Sequence, residues 1–180
     1  MSYRRFGAMI ATSTVLMFGL MYLNTYAVEH VRFSQTRVWM AVLMGAVMAV
    51  VMLGFMWKMY DGRRLKIGIL AGAAVVAFGS LWLVRSQETV GDVAYMKAMI
   101  PHHSIAIMTS ERAHIRDPEV RLLADRIIDA QVHEIAEMDR LIARLEASPT
   151  RKGAPDLPDY RERGAAPPPP ETDGSAGSTR

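Results

Sequence analysis

The sequence predicts an all-α membrane protein in which three transmembrane helices are followed by an extracytoplasmic helical hairpin. Apolar residues make up 51% of the 180-residue chain and charged residues only 22%. Three uncharged apolar runs each have about the 20 residues that are needed to cross roughly 30 Å of hydrocarbon. Beyond the third run, apolar residues recur at the spacing that is typical of amphipathic helices.

The three spans are predicted near residues 6–28, 38–57 and 67–84, so the membrane domain covers 1–84. The loop from Lys58 to Lys66 carries four basic residues against one acidic residue, and Arg4 and Arg5 precede the first run. Because basic loops stay in the cytoplasm, the N-terminus is predicted inside and the chain beyond residue 84 outside. The expected location is the cytoplasmic (inner) membrane, with several passes.

The first apolar run has an alternative interpretation as a cleaved signal peptide. Thr25 to Ala27 form a small-x-small site after a basic start. A run of about 23 residues is longer than the usual apolar region of such a peptide, which favours a span. The C-terminal half is extracytoplasmic under both interpretations.

A linker at 85–91 leads to a helical hairpin domain at 92–147, with helices expected at about 93–115 and 118–146. Asp117 is a good N-cap residue, Pro118 suits the first helical turn, and Glu119 complements the helix dipole. The residues from 148 to 180 are rich in proline, glycine and charge, so they are predicted to be a disordered tail.

Two helices of this length cannot bury both of their apolar stripes in a hairpin alone. A homodimer that forms a four-helix bundle would bury them, and packing on the membrane domain is the other possibility. The expected partners are therefore the lipid bilayer, a second copy of the chain, and a protein that donates or accepts a metal ion. The net charge of +3 lies mostly beside the apolar runs, so nucleic acid is not expected.

One face of the first hairpin helix carries unusual residues. At 100° per residue, Met96, Met99 and His103 share this face, whereas His102 flanks it and Met108 points away.

Along the apolar stripe of the second helix, Gln131 and Glu134 are polar residues at positions that should be buried, and Met138 follows them. Folding the hairpin symmetrically about Arg116 places His103 level with Gln131, Met99 level with Glu134, and Met96 between Glu137 and Met138. The unusual residues of both helices are thus expected at one height.

Thioether and imidazole donors together favour a soft or borderline ion, above all Cu(I). The chain has no cysteine, so a soft-metal site here must use methionine and histidine, with Glu134 orienting the imidazole or binding directly. Methionine and histidine are also ordinary core residues, and the spacing alone leaves both interpretations open. Pro101 is expected either to bend the first helix or to mark its start.

The stretch "YMKAMIPHHSIAIMTSERA", followed by "DPEVRLLADRIIDAQVHEIAEMDRLI", resembles the domain of unknown function 305 family over residues 92–142. The resemblance implies a ferritin-like helical bundle, half of which this hairpin would supply, and some relatives are extracytoplasmic copper-binding proteins. Transferred by position, it implies a copper ion and the metal site Met96, Met99, His102, His103, Met108, Gln131, Glu134 and Met138.

The predicted function is membrane-anchored extracytoplasmic copper binding for tolerance or handling. The alternative is a structural or regulatory membrane module whose hairpin only mediates oligomerisation. Glu111 and His114 are spaced as in di-iron bundles, but the required carboxylates lie at another height. No phosphate loop, Ser/His/Asp set or paired-carboxylate pocket is present, so an enzyme is not predicted. Many relatives contain the hairpin twice, whereas this chain contains it once.

Overall fold

The structure is a computed structural model that describes residues 2–151 and 153–158. Its helices are α1 (Tyr3–Leu20), α2 (Gln35–Phe55), α3 (Arg63–Ser86), α4 (Asp92–Arg112) and α5 (Pro118–Ala147), and short 3-10 turns lie at Val28–His30 and Trp57–Met59. The described residues contain no β-strand, so the all-α prediction is confirmed. Whether the hairpin completes a four-helix bundle by dimerisation stays a prediction.

The chain divides into two units, residues 1–148 and 149–180. In the second unit, the described residues 149–151 and 153–158 form a turn but no helix or strand. Most of the predicted disordered tail, residue 152 and residues 159–180, lies outside the described residues.

The first predicted span is wrong in its extent, because α1 ends at Leu20 instead of continuing to Val28. Tyr22 and Leu23 donate to carbonyls three residues back, and the Thr25 hydroxyl donates to the Tyr22 carbonyl. Such side-chain bonds compete with the helical ladder, so the helix does not continue.

Two described helices, α2 and α3, are long and apolar enough to cross a membrane by length and composition. The first helix is not among them, because it lacks residues 21–28 and begins instead with Tyr3, Arg4 and Arg5. The structure therefore supports the second and third predicted spans. Their topology stays a prediction.

Among the first three helices, α2 packs against both α1 and α3. Phe6 of α1 joins Ala49 and Leu53 of α2 and Tyr60 in one buried apolar cluster. Where the two helices cross, Gly45 lies against Thr14, and a Cβ atom at residue 45 would collide with the threonine side chain. The crossing of α1 and α2 thus depends on a residue without a side chain.

The hairpin consists of α4 packed on α5, with a core of Met96, Ile100, Ile107, Ile135 and Ile142. Asp117 caps α5 as predicted, because its carboxylate accepts from the Glu119 and Val120 N–H groups at 2.9 and 3.0 Å. Pro101 is buried inside α4, so it does not mark the start of that helix.

The connection between α1 and α2, residues 21–34, also holds the hairpin; we call it the α1–α2 loop. The Tyr26 N–H donates to the Ser104 hydroxyl at 2.7 Å, and the His30 Nδ1 lies 2.9 Å from the same oxygen. Arg32 forms an ion pair with Asp139 of α5 at 3.1 Å. Part of the hairpin surface is therefore covered by a loop of the same chain.

Candidate metal centre

A cavity of about 510 Å³ lies between α4 and α5, on the face where the sequence places its unusual residues. Three methionines line it: Met96 and Met99 from α4, and Met138 from α5. The helical spacing explains this arrangement, because residues three apart share one face of α4. Met96 is buried and the other two are half-buried, so thioether sulfur is concentrated at one place.

His103 and Glu134 form the polar part of the cavity wall. The His103 Nε2 lies 2.6 Å from the Glu134 Oε2, and the His103 Nδ1 lies 3.0 Å from the Met99 carbonyl oxygen. A carbonyl oxygen only accepts, so Nδ1 is the nitrogen that carries a proton. An ionised Glu134 also only accepts, so with that partner Nε2 must donate as well. This contact joins the two helices through the His103 and Glu134 side chains.

Gln131 contacts the same carboxylate oxygen as His103. Its Nε2 donates to the Glu134 Oε2 at 3.3 Å, so one carboxylate oxygen receives donors from both helices. The Glu134 side chain is 52% exposed, whereas that of His103 is 11% exposed. The imidazole is therefore mostly buried, whereas about half of the Glu134 side chain faces solvent.

The register of the hairpin differs from the symmetric fold that the sequence analysis assumed. His103 contacts Glu134 directly, about one helical turn further along α5 than expected. The cause lies in the connection at 113–117, which is not helical. Ala113 and Asp117 have extended backbone, which rises about 3.3 Å per residue instead of 1.5 Å, so α5 begins beyond the end of α4.

The structure separates the predicted site residues into two groups. Met96, Met99, His103, Glu134 and Met138 line the cavity, and Gln131 is bonded to it through Glu134. His102 and Met108, which the family resemblance also implied, do not line it. His102 is exposed and Met108 is half-buried elsewhere on α4.

Further residues line the same cavity without having been proposed for the site: Asp92, Tyr95, Glu137, Leu141, Arg144 and Leu145. The symmetric register had placed Glu137 at the same height. The sequence could also have predicted Tyr95 on this face, because Tyr95, Met99 and His103 follow one another at intervals of four residues. Carboxylates of Asp92, Glu134 and Glu137 outnumber the single Arg144, which gives the cavity a local excess of negative charge.

The donor chemistry of the cavity is that of a soft ion. Within residues 2–151 and 153–158, no three histidine or acidic side chains cluster as a metal site. Three thioethers and one imidazole instead match the ligand preference of Cu(I).

The alternative pair Glu111 and His114 does not form a di-iron motif in the structure. His114 lies beyond the end of α4, in the extended connection, where it is exposed. The Glu111 carboxylate interacts with the hydroxyl of Tyr26 in the α1–α2 loop, and this hydrogen bond is the main cause that raises the Tyr26 pKa. Glu111 therefore belongs to the contact between the loop and the hairpin.

Comparisons with known proteins agree with the motifs of the hairpin. Residues 92–177 match the family model described as Domain of unknown function (DUF305), so the family that the motifs resemble is confirmed. An uncharacterised protein of Acanthamoeba polyphaga mimivirus is 31% identical over 102 residues, which cover 53% of this chain and 67% of that protein. No solved structure matches the chain.

Proposed function

Because this chain belongs to the DUF305 family, whose description assigns no activity, we propose from its geometry that it is a membrane-anchored, extracytoplasmic copper-binding protein. The observation that carries the proposal is the cavity between α4 and α5, which Met96, Met99, Met138 and His103 line together. The bound ion is Cu(I), and its role is copper tolerance or handling.

The hydrogen bonds of His103 determine how the ion would be bound. The Met99 carbonyl keeps a proton on Nδ1, which leaves the Nε2 lone pair as the imidazole donor. Glu134 occupies Nε2 in the structure, so the ion must displace this carboxylate and the proton that it holds. Gln131 remains a donor to Glu134 and retains it beside the cavity.

The helices that precede the hairpin support an extracytoplasmic site. Both α2 and α3 have the length and apolarity of membrane spans, and the basic loop between them favours a cytoplasmic position for that loop. The hairpin follows α3 directly, so it would face the extracytoplasmic side. A copper donor or acceptor protein would then reach the open cavity from that compartment.

Removal of one thioether tests the site. In anaerobic titrations of the detergent-solubilised protein against a chromophoric Cu(I) chelator, Met99→Leu should weaken Cu(I) binding by about tenfold or more. Leucine keeps the volume and apolarity of methionine, so folding should be little affected. Met108→Leu is the matched control, because Met108 lies outside the cavity, and its affinity should equal that of the wild type. Equal losses in the two variants would contradict the assigned site.

The alternative function, an oligomerisation module without metal, has one observation of its own. Val120, Leu123 and Ile127 form an exposed apolar stripe on the N-terminal half of α5. A second hairpin would cover this stripe and complete a four-helix bundle. A wild-type protein that dimerises in detergent but does not compete for Cu(I) would establish this alternative.

A further inference from the structure

An apolar pocket of about 530 Å³ lies where the α1–α2 loop, α2 and α4 meet. Its apolar walls are Phe33 of the loop, Val38 and Trp39 of α2, and Val93 and Ala94 of α4. The Phe33 side chain is 67% exposed. The pocket is separate from the metal centre, and its size is within the range of small-molecule sites.

A charged pocket of about 350 Å³ adjoins the apolar one, because Lys97 lines both and Arg32 precedes Phe33 in the chain. It contains two cations and two anions. Arg32 pairs with Asp139 at 3.1 Å, and Lys97 pairs with Glu146 at 2.7 Å. These side chains are a third to a half exposed, so the pairs can open at little cost.

The two pockets together have the chemistry of a phospholipid site. We propose that they bind one zwitterionic aminophospholipid, with an acyl chain in the apolar pocket and the headgroup in the charged pocket. The phosphate would contact Arg32 and Lys97, and the ammonium group would donate to Asp139 and Glu146. The balanced charge of the pocket fits a zwitterion better than an anionic lipid, whose phosphate and headgroup would both face the carboxylates.

The position in the chain supports the same occupant. The pocket opens at the start of α2, which has the apolarity of a membrane span, and Trp39 lies where tryptophans concentrate at membrane interfaces. The inference rests on the membrane placement in the proposed function but does not depend on copper. The bound lipid would join the hairpin to the outer leaflet.

Competition among lipids tests the site. Delipidated protein in detergent would be mixed with equal amounts of phosphatidylethanolamine, phosphatidylcholine and phosphatidylglycerol, and the retained lipid would be measured by native mass spectrometry. We expect one phosphatidylethanolamine per chain, retained at least about tenfold better than the other two, because the choline headgroup has no N–H donor. Equal retention of the three lipids, a preference for phosphatidylglycerol, or displacement by millimolar inorganic phosphate would overturn the proposal.

Substitutions in the two pockets test where the lipid binds. Arg32→Gln with Lys97→Gln should remove the preference, and Ala94→Leu should lower retention of all three lipids by filling the apolar pocket. Arg121→Gln is the control, since Arg121 forms an ion pair with Asp125 outside both pockets. Met99→Leu protein should retain the lipid fully, so loss of copper binding and loss of lipid binding can be distinguished. Unchanged retention in both pocket variants would contradict the assigned location.

Discussion

His103 contributes both to the packing of the hairpin and to the proposed metal site. Its Nδ1 contacts a main-chain carbonyl on its own helix, and its Nε2 contacts a carboxylate on the other helix. The first contact fixes the ring and the position of one proton. The second joins the two helices of the hairpin, and an ion bound as we propose would have to break it.

This arrangement predicts a proton release that depends on Glu134. Binding of Cu(I) to the wild-type protein should release protons, because an ion at Nε2 displaces the proton that bridges Nε2 and the carboxylate. In Glu134→Gln, the amide N–H can donate to an unprotonated Nε2, so proton release should be smaller than in the wild type. Calorimetric titrations in buffers of different ionisation enthalpy measure this number. Equal release in the two proteins would show that Glu134 does not hold the proton.

Ser104 is a second residue with a defined contribution, since it is fully buried and accepts from the Tyr26 N–H. Ser104→Ala leaves that N–H without an acceptor, which should lower the free energy of unfolding by about 1–3 kcal/mol. Thermal unfolding in detergent measures the change. Thr109→Ala is the control, because the exposed Thr109 hydroxyl bonds only to carbonyls of its own helix. A loss no larger than in the control would mean that the loop is not held through Ser104.

Among the helices, the sequence predicted those boundaries that depend on residues within one helical turn. Asp117 and Pro118 were sufficient to predict the start of α5, because a cap and a fixed φ angle act within one turn. The first helix was predicted too long, since apolarity alone does not show that Thr25 and its neighbours form turns. The hairpin register was also missed, because it depends on how far the extended connection carries the chain before α5 begins.

The crossing of α1 and α2 gives a prediction at the same scale. The Thr14 hydroxyl is held by a hydrogen bond to the Ile10 carbonyl at 2.9 Å, so it cannot easily move away from a new side chain at residue 45. Gly45→Ala should therefore push the helices apart and cost about 1–3 kcal/mol. Gly54→Ala is matched on the same helix, but its Cβ meets no neighbouring atom within 4 Å. Chemical denaturation should show a loss in the first variant only; similar values would contradict the close contact.

For the whole molecule, the sequence identified the candidate site better than its surroundings. Met96, Met99, His103, Glu134 and Met138 were predicted at one height and line one cavity, because helical periodicity determines which side chains share a face. His102 and Met108 were implied by the family motif, which records residue types and not directions. The contact of the α1–α2 loop with α4 and α5 was not foreseen in detail, since contacts between distant segments leave no local pattern.

The molecule thus combines two apolar helices of membrane length with a hairpin whose cavity concentrates thioether sulfur. We propose that copper is held by these methionines and not by exposed histidines. X-ray absorption at the copper edge of the anaerobically loaded protein tests that claim most directly. We expect Cu(I) bound by sulfur at about 2.3 Å and by one imidazole. The distance is taken from other metal–sulfur bonds of about that length. A shell of nitrogen or oxygen alone, or a protein that retains no copper, would contradict it.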